Sequence, residues 1–308
     1  MKITVCTPTF NEKDNILKLY KEIKDTFEKI ECEYDHLIID NNSSDGTIEI
    51  LRNICKQDKN VKVIINNKNY GHIKSPFHGL LQTESDATIL MASDFQDPIE
   101  LIPKYIEKWK AGSKIVLGKK KSSKENKVIF SLRNFFYKFL NLISENDLTI
   151  NTTGSGIFDR EVINELKNLN EPYPYFRGLI TELGFDVSFI EFDQPKLLGG
   201  ETKNNFYTLY DIAMLGIVKH SRKPLRFMVL IGFMSSFLCF LTATIYLFYK
   251  IIFWNSFSVG IAPIVIGLFL IASIQITLLG LVGEYIGVIL LNQKKTPLVI
   301  ERERINFS

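Results

Sequence analysis

Two rhythms of apolar and polar positions alternate over the first part of the chain. Ile3 to Thr7 is a short apolar run of the kind a buried strand shows, while Asn15 to Ile30 places Ile16, Leu19, Ile23, Phe27 and Ile30 on one helical stripe. The pattern repeats and predicts strands at 37–40, 61–65, 87–91 and 115–118, with helices at 47–55, 75–81 and 99–109 between them. Strands separated by helices of this length need crossover connections, so the expected fold is α/β, a mostly parallel sheet covered on both faces.

The rhythm changes towards the C-terminus. Phe227 to Tyr249 contains no charged residue, and neither does Ile251 to Gly283. Each run is long enough to cross a bilayer, and Trp254, Asn255, Ser256 and Ser258 mark a turn before a second helix from about Ile261 to Leu291. A buried soluble hairpin is the alternative. Before these runs, Phe206, Leu209, Tyr210, Ala213, Ile217 and His220 recur at helical spacing and lead into the basic cluster Lys219 to Arg226, which predicts an amphipathic helix lying on a membrane surface. The expected organisation is a domain over 1–205, an interfacial helix over 206–226, a two-span hairpin over 227–291 and a tail over 292–308.

Charge orients that hairpin. Lys219, Arg222, Lys223 and Arg226 precede the first span and Lys294 and Lys295 follow the second, whereas the connecting turn has Lys250 beside it. Both termini and the domain are therefore expected in the cytoplasm, on a multi-pass protein of the cell membrane. The start of the chain reads as a strand and offers no signal peptide. A formal net charge of +3, spread along the chain, gives no reason to expect nucleic acid. Cys6, Cys32, Cys55 and Cys239 show no paired spacing and are expected reduced.

Polar residues gather where the predicted strands end. Pro8, Asn11 and Glu12 follow the first; Asp40, Asn41, Ser43, Asp45 and Gly46 the second; Asn69, Tyr70, Gly71 and His72 the third; and Asp94, Gln96 and Asp97 the fourth. In an open parallel sheet the ligand crevice lies outside the carboxyl ends of the strands. Neither G-x-G-x-x-G nor a P-loop is present, so a phosphate would have to be held without a glycine cradle. Asp94 and Gln96 are hard oxygen donors suited to Mg²⁺ or Mn²⁺, which could neutralise a diphosphate, while Asp40 could hold a base or ribose. Asp97 reads as the N-cap of the helix opening at Pro98, with a role as base the alternative. The histidines His36, His72, His78 and His220 form no metal-ligand pattern, and His72 is the one expected on the rim.

The runs TPTFNE, IIDNNSSDGT, NYGH, DFQDPIELIP, PYPYFRGL, GGETKNNF and LVGEYIG, in this order, resemble the polyprenyl-phosphate glycosyltransferases of glycosyltransferase family 2, the group that includes dolichol-phosphate mannose synthase and the bactoprenol glucosyltransferases. The resemblance covers nearly the whole chain. It implies a cytoplasmic GT-A domain that takes a sugar from a nucleotide-diphosphate donor and transfers it to a lipid phosphate at the bilayer. It assigns Pro8, Asn11, Glu12 and Asp40 to the nucleotide, with Ser43 and His72 on the same rim, and Asp94 and Gln96 to the metal and diphosphate. Arg133, Arg177 and Lys203 match basic positions near the phosphates, where they would stabilise charge. A homo-oligomer is left open.

Two positions depart from the family pattern. The central D-x-D has become Ala92-Ser93-Asp94, and the usual G-D-F-R has become Thr153-Gly154-Ser155-Gly156. A lipid acting through another group, or a sugar-nucleotide-binding partner without catalysis, are the competing readings. A phosphate acceptor tolerates the missing acid best, because its second pKa near ~6 leaves it mostly dianionic at neutral pH.

Overall fold

The computed structural model describes residues 1–30, 32–121, 152–169, 171, 174, 176–193, part of 230–253, 261–293 and 297–307. The predicted alternation is present: β1 (Lys2–Thr9), α1 (Ile16–Ile30), β2 (Glu33–Asp40), α2 (Thr47–Gln57), β3 (Val61–Asn66), α3 (Gly71–Leu81), β4 (Ala87–Leu90), α4 (Leu101–Lys110) and β5 (Ile115–Lys120). Beyond it come β6 (Thr152–Asp159), α5 (Arg160–Asn168), α6 (Phe176–Glu182), β7 (Val187–Phe192), α7 (Ile261–Gln293) and β8 (Glu301–Ile305).

All eight strands form one sheet in the order β7-β5-β6-β4-β1-β2-β3-β8. β1 pairs in parallel with β2 and β4, β2 with β3, and β5 with β7, whereas β6 and β8 run against their neighbours. The stripe on α1 forms because Ile16, Leu19, Ile23 and Phe27 meet sheet residues such as Ile3, Val5 and Ile38, together with α2 and α4, in one buried cluster. Four such side chains contribute roughly 6–12 kcal/mol of gross burial, before conformational entropy is subtracted. On the opposite face Phe77 and Leu80 of α3, Val162 and Leu166 of α5 and Leu179 of α6 close over Ile115, Leu117 and Phe158. The sheet is thus covered on both sides.

β6 lies between β4 and β5 although its sequence, TTGSGIFD, lacks a strand-like apolar run. Gly156 permits it: a Cβ there would stand 2.2 Å from the Val116 carbonyl oxygen, so the β5–β6 approach requires a residue without one. Gly154, at φ 83, lies within β6 in the left-handed region, where the β5–β6 register shifts. Both departures from the family pattern in this stretch are therefore backbone requirements of the strand.

The segment set apart as a tail supplies β8, which pairs antiparallel with β3 from Val63↔Ile305 to Asn66↔Glu301. Its side chains hold it there. Glu303 meets Arg52 of α2 at 2.6 Å, Glu301 meets His78 of α3 at 2.6 Å and also Arg304, and Asn306 Nδ2 donates to the carbonyls of Cys55, Asp58 and Val61 at 2.8–3.2 Å. The edge strand is short and charged, which also discourages pairing with another chain.

Among the described residues no helix is long and apolar enough to cross a membrane. The first predicted span, 227–249, is described at separate positions, and α7, which coincides with the second, has a continuous backbone over 33 residues with part of its side chains described. Those that are described include exposed Ile264, Leu268, Ile276, Leu279 and Ile286. The predicted interfacial helix, 206–226, lies outside the described residues.

Candidate active site

At the carboxyl end of the parallel strands, the loops after β1 and β2 are stitched together. Asn11, held at φ 57, donates its backbone N–H to Ser43 Oγ at 2.8 Å, and its Oδ1 accepts from Ser44 N at 2.9 Å. Glu12 N donates to Thr47 Oγ1 at 3.0 Å, and Lys13 N to Asp45 Oδ2 at 3.1 Å. Asp45 is not the N-cap of α2, a place taken by Gly46 at φ 100, but it accepts from Thr47 N and Oγ1. Burial pushes its carboxyl up, and the bonds from Thr47 and Lys13 outweigh that and leave it below the usual range.

Asp40 closes β2 and is fully buried. Its Oδ1 accepts from Ser43 N at 2.8 Å and its Oδ2 from Ser43 Oγ at 2.6 Å, so the residue expected to read the nucleotide holds the loop that would do so. Burial raises its carboxyl above the usual range despite those bonds. Nearer the surface of these loops are exposed Ser44 and half-buried Asn11 and Asn42.

Asn41 organises the neighbouring loop, a role its place on the rim alone did not reveal. Its Nδ2 donates to Asn69 Oδ1 at 2.7 Å and to the Gly71 carbonyl at 3.2 Å, and its Oδ1 accepts from Tyr70 N at 2.8 Å and Asn66 Nδ2 at 3.1 Å. Two of those partners are backbone groups of fixed polarity, which settles the orientation of the amide. The β3–α3 loop is thereby tied to the end of β2, with His72 exposed in the first turn of α3. His36, away from the rim within β2, is fully buried with Nε2 3.0 Å from Thr7 Oγ1, and burial pushes its pKa down to about 3.

Beyond β4, Ser93 Oγ donates to the Pro8 carbonyl at 3.2 Å, joining this loop to the end of β1. Asp94 and Gln96 then meet: Gln96 N donates to Asp94 Oδ1 at 3.2 Å and Gln96 Nε2 to Asp94 Oδ2 at 2.8 Å. Between them Phe95 sits at φ 57, a conformation a bulky residue rarely adopts, with its ring buried and Lys18 Nζ 5.0 Å from the centroid. Strain of this kind gathers at functional turns, and Asn11, Asn42 and Phe95 all carry it on this rim.

Asp97 departs from its expected place. Helix α4 begins at Leu101 with Glu100 as its N-cap, because residues 98–100 form a tighter turn closed by Leu101 N to Pro98 O at 3.1 Å and Ile102 N to Ile99 O at 2.9 Å. Asp97 is 6% exposed and lies near Tyr105, whose hydroxyl is raised first by burial and then by the Asp97 charge. It neither caps α4 nor presents its carboxylate on the surface. Arg133 and Lys203 lie outside the described residues, and Arg177 falls in the first turn of α6 with its side chain undescribed.

Among the described residues no cluster of three or more His, Cys, Asp or Glu side chains could hold a metal. The donor set at the central turn is one half-buried carboxylate with one amide beside it, and the position two residues earlier is Ala92. That set fits a magnesium-like ion, which keeps most of its ligands as water and phosphate and takes one or two from protein. Gln96 would have to turn its oxygen outward to join Asp94.

Residues 4–167 match the family described as Glycosyl transferase family 2. A glycosyltransferase of Bacillus subtilis (strain 168), YkcC, is 32% identical over 302 residues, covering 97% of this chain and 93% of its own. The bactoprenol glucosyl transferase of Shigella phage SfX is 30% identical over 305 residues, covering 99% of this chain and 100% of its own. Among solved structures, glucosyl-3-phosphoglycerate synthase from Mycobacterium tuberculosis, crystallised with Mn²⁺, uridine diphosphate and phosphoglyceric acid, superposes with a TM-score of 0.51 at 17% identity, over 70% of this chain and 76% of that one. That likeness establishes a shared GT-A-like fold.

Proposed function

Because the chain belongs to glycosyltransferase family 2, we propose that it transfers a sugar from a nucleotide-diphosphate donor to a polyprenyl phosphate of the undecaprenyl type at the surface of a membrane. The donor would lie along the rim, its nucleoside against the Asn11, Asn42 and Ser44 loops ordered by Asp40 and Ser43, and its diphosphate towards Asp94. When bound, a Mg²⁺ or Mn²⁺ ion held by Asp94 and Gln96 supplies charge neutralisation for the departing diphosphate. A phosphate oxygen of the lipid attacks the anomeric carbon while the bond from that carbon to the nucleotide breaks, and the nucleoside diphosphate leaves with the bond's electron pair. The attacking phosphate is already mostly dianionic at neutral pH, so buried Asp97 need not serve as a base.

The observation that carries the membrane acceptor is where the chain leaves and rejoins the sheet. β7 runs parallel to β5 and so ends, at Phe192, on the same rim as the site; β8 runs antiparallel to β3 and begins, at Glu301 opposite Asn66, on that rim too. These are the two edge strands, seven spacings apart, or roughly 34 Å at about 4.8 Å each. Residues 193–300 therefore depart from one side of the candidate site and return on the other. If they enter a bilayer they cross it an even number of times, in keeping with basic residues at both ends of the uncharged runs. The exposed Ile and Leu side chains of α7, whose 33 residues include one charged residue, Glu284, support lipid as their surroundings. A bilayer so placed would present a lipid headgroup to the rim. The relative from Shigella phage SfX is named for bactoprenol, which favours a polyprenyl chain.

The test is to incubate membranes containing the full chain with a panel of nucleotide sugars and undecaprenyl phosphate, and to identify lipid products by mass. A polyprenyl-phosphate hexose, formed with one donor and absent from membranes without the protein, is the expected product. Donor hydrolysis with no lipid product would overturn the acceptor, and an inert panel would favour a binding partner over an enzyme.

A further inference from the structure

β8 comes from beyond the uncharged runs, yet it reaches β3, α2, α3 and the loop after β2, elements beside the nucleoside end of the rim. Its approach is fixed by Asn67 N donating to the Ile300 carbonyl at 3.0 Å, at the start of the β3–α3 loop. One register step on, a bulge at Ile65/Asn66 frees Arg302 from the regular pairing, and its exposed guanidinium reaches over β3 to Asn42 Oδ1 at 3.4 Å. Asn42 is the left-handed residue, φ 65, between Asp40 and Ser43. The rest of the strand is secured away from the rim by Arg52 with Glu303 and by Asn306 beneath α2. A single strand thus holds both loops that Asn41 joins.

We propose that β8 is a working part of the donor site, with Arg302 a positioning residue that acts through Asn42 on the nucleoside half of the donor. The proposal rests on the reading of this rim as a nucleotide site. Its physical content is simple. A left-handed asparagine has competing conformations, and a charge-assisted bond to its side chain favours the one that presents Asn42 and Ser44 at the rim.

The experiment uses the purified full chain and calorimetric binding of UDP, GDP, CDP and ADP, continuing with the tightest. Arg302→Ala is expected to weaken that nucleotide roughly three- to tenfold, the range for one exposed charge-assisted bond, with Arg302→Lys recovering part of the loss. In turnover the loss should appear in the donor KM with kcat within about twofold. Asn42→Gly keeps the left-handed turn but removes the acceptor, so it should reproduce the loss, and Arg302→Ala added to it should cost nothing more. Arg52→Ala, which releases Glu303 on the far side of the strand, should leave affinity within about twofold. Parent-like binding by Arg302→Ala overturns the proposal, as do additive effects of the two substitutions, since Arg302 would then act independently of Asn42. A parent that binds no nucleoside diphosphate overturns both this proposal and the nucleotide reading, whereas a parent that binds while Arg302→Ala matches it overturns this proposal alone.

Discussion

Replacing Asn41 should do more damage than replacing most residues that face the crevice. Its side chain, 6% exposed, makes four hydrogen bonds that connect the end of β2 to Asn66, Asn69, Tyr70 and Gly71. In Asn41→Ala, Asn66 Nδ2 keeps Ser75 Oγ and Asn69 Oδ1 keeps Gly71 N, but the Tyr70 N–H loses the acceptor at 2.8 Å. Two or three net bonds at about 1 kcal/mol each give a loss of about 2–3 kcal/mol. For a domain of this size that lowers Tm by roughly 4–12 °C. Asn41→Asp is the sharper variant. It preserves shape and the acceptor towards Tyr70, but sets a carboxylate oxygen against the Asn69 and Gly71 oxygens. It should melt at least as low as the alanine variant, and both should raise the donor KM. Thermal unfolding of the full chain in detergent, followed by intrinsic fluorescence, measures this. An Asn41→Asp protein that melts within about a degree of the parent would refute the assigned network.

Other perturbations probe separate parts of the account. Asp94→Asn should slow turnover at least tenfold and raise the Mg²⁺ or Mn²⁺ concentration needed for half-maximal rate, each ~1.4 kcal/mol of lost stabilisation being tenfold; Ala92→Asp should lower that concentration without a matching gain in rate. Unchanged metal dependence in Asp94→Asn would place the metal elsewhere. Gly156→Ala should cost about 3 kcal/mol or more, seen as a lower Tm, because the new methyl cannot fit 2.2 Å from a backbone oxygen. His36, pushed by burial from 6.5 to about 3, takes up its proton more readily in the unfolded chain, so its contribution to stability is present above pH 6.5 and is lost as pH falls towards 3. Tm should therefore drop between pH 6.5 and 4 in the parent and drop less in His36→Asn; equal slopes would contradict the buried neutral imidazole.

Much of the sheet was legible because its strands and helices carry their own period. The α1 stripe, the runs of β1 to β5 and the polar residues at four strand ends all follow from local pattern, and the structure places them as expected. β6 was not legible, since its place depends on what Gly156 lacks opposite Val116, a contact between residues forty positions apart. β8 was hidden for a related reason: ERERI carries charge where a strand usually carries apolar residues, and its stability comes from Arg52, His78 and the carbonyls under Asn306. At the site, Asp94 and Gln96 were recognised together, but their bond to each other was not. Asp40 and Asn41 show the same limit. Both were placed on the rim by sequence, yet one turned out to be a buried support for Ser43 and the other a hub for the β3–α3 loop, roles set by partners that only folding brings near. Asp97 was misjudged because a short tight turn delays α4 by three residues.

The central claim is that a phosphate, carried on a polyprenyl lipid, attacks the sugar. The most direct measurement offers the full chain in vesicles one radiolabelled nucleotide sugar with either undecaprenyl phosphate or undecaprenol, at equal lipid concentration, and follows label into the lipid phase from pH 5 to 8. The account predicts labelled product with the phosphate and none with the alcohol, at a rate that rises as the phosphate ionises near pH ~6 and then levels. Equal labelling of undecaprenol, or a rate on the phosphate that keeps climbing past pH 7.5, would contradict it.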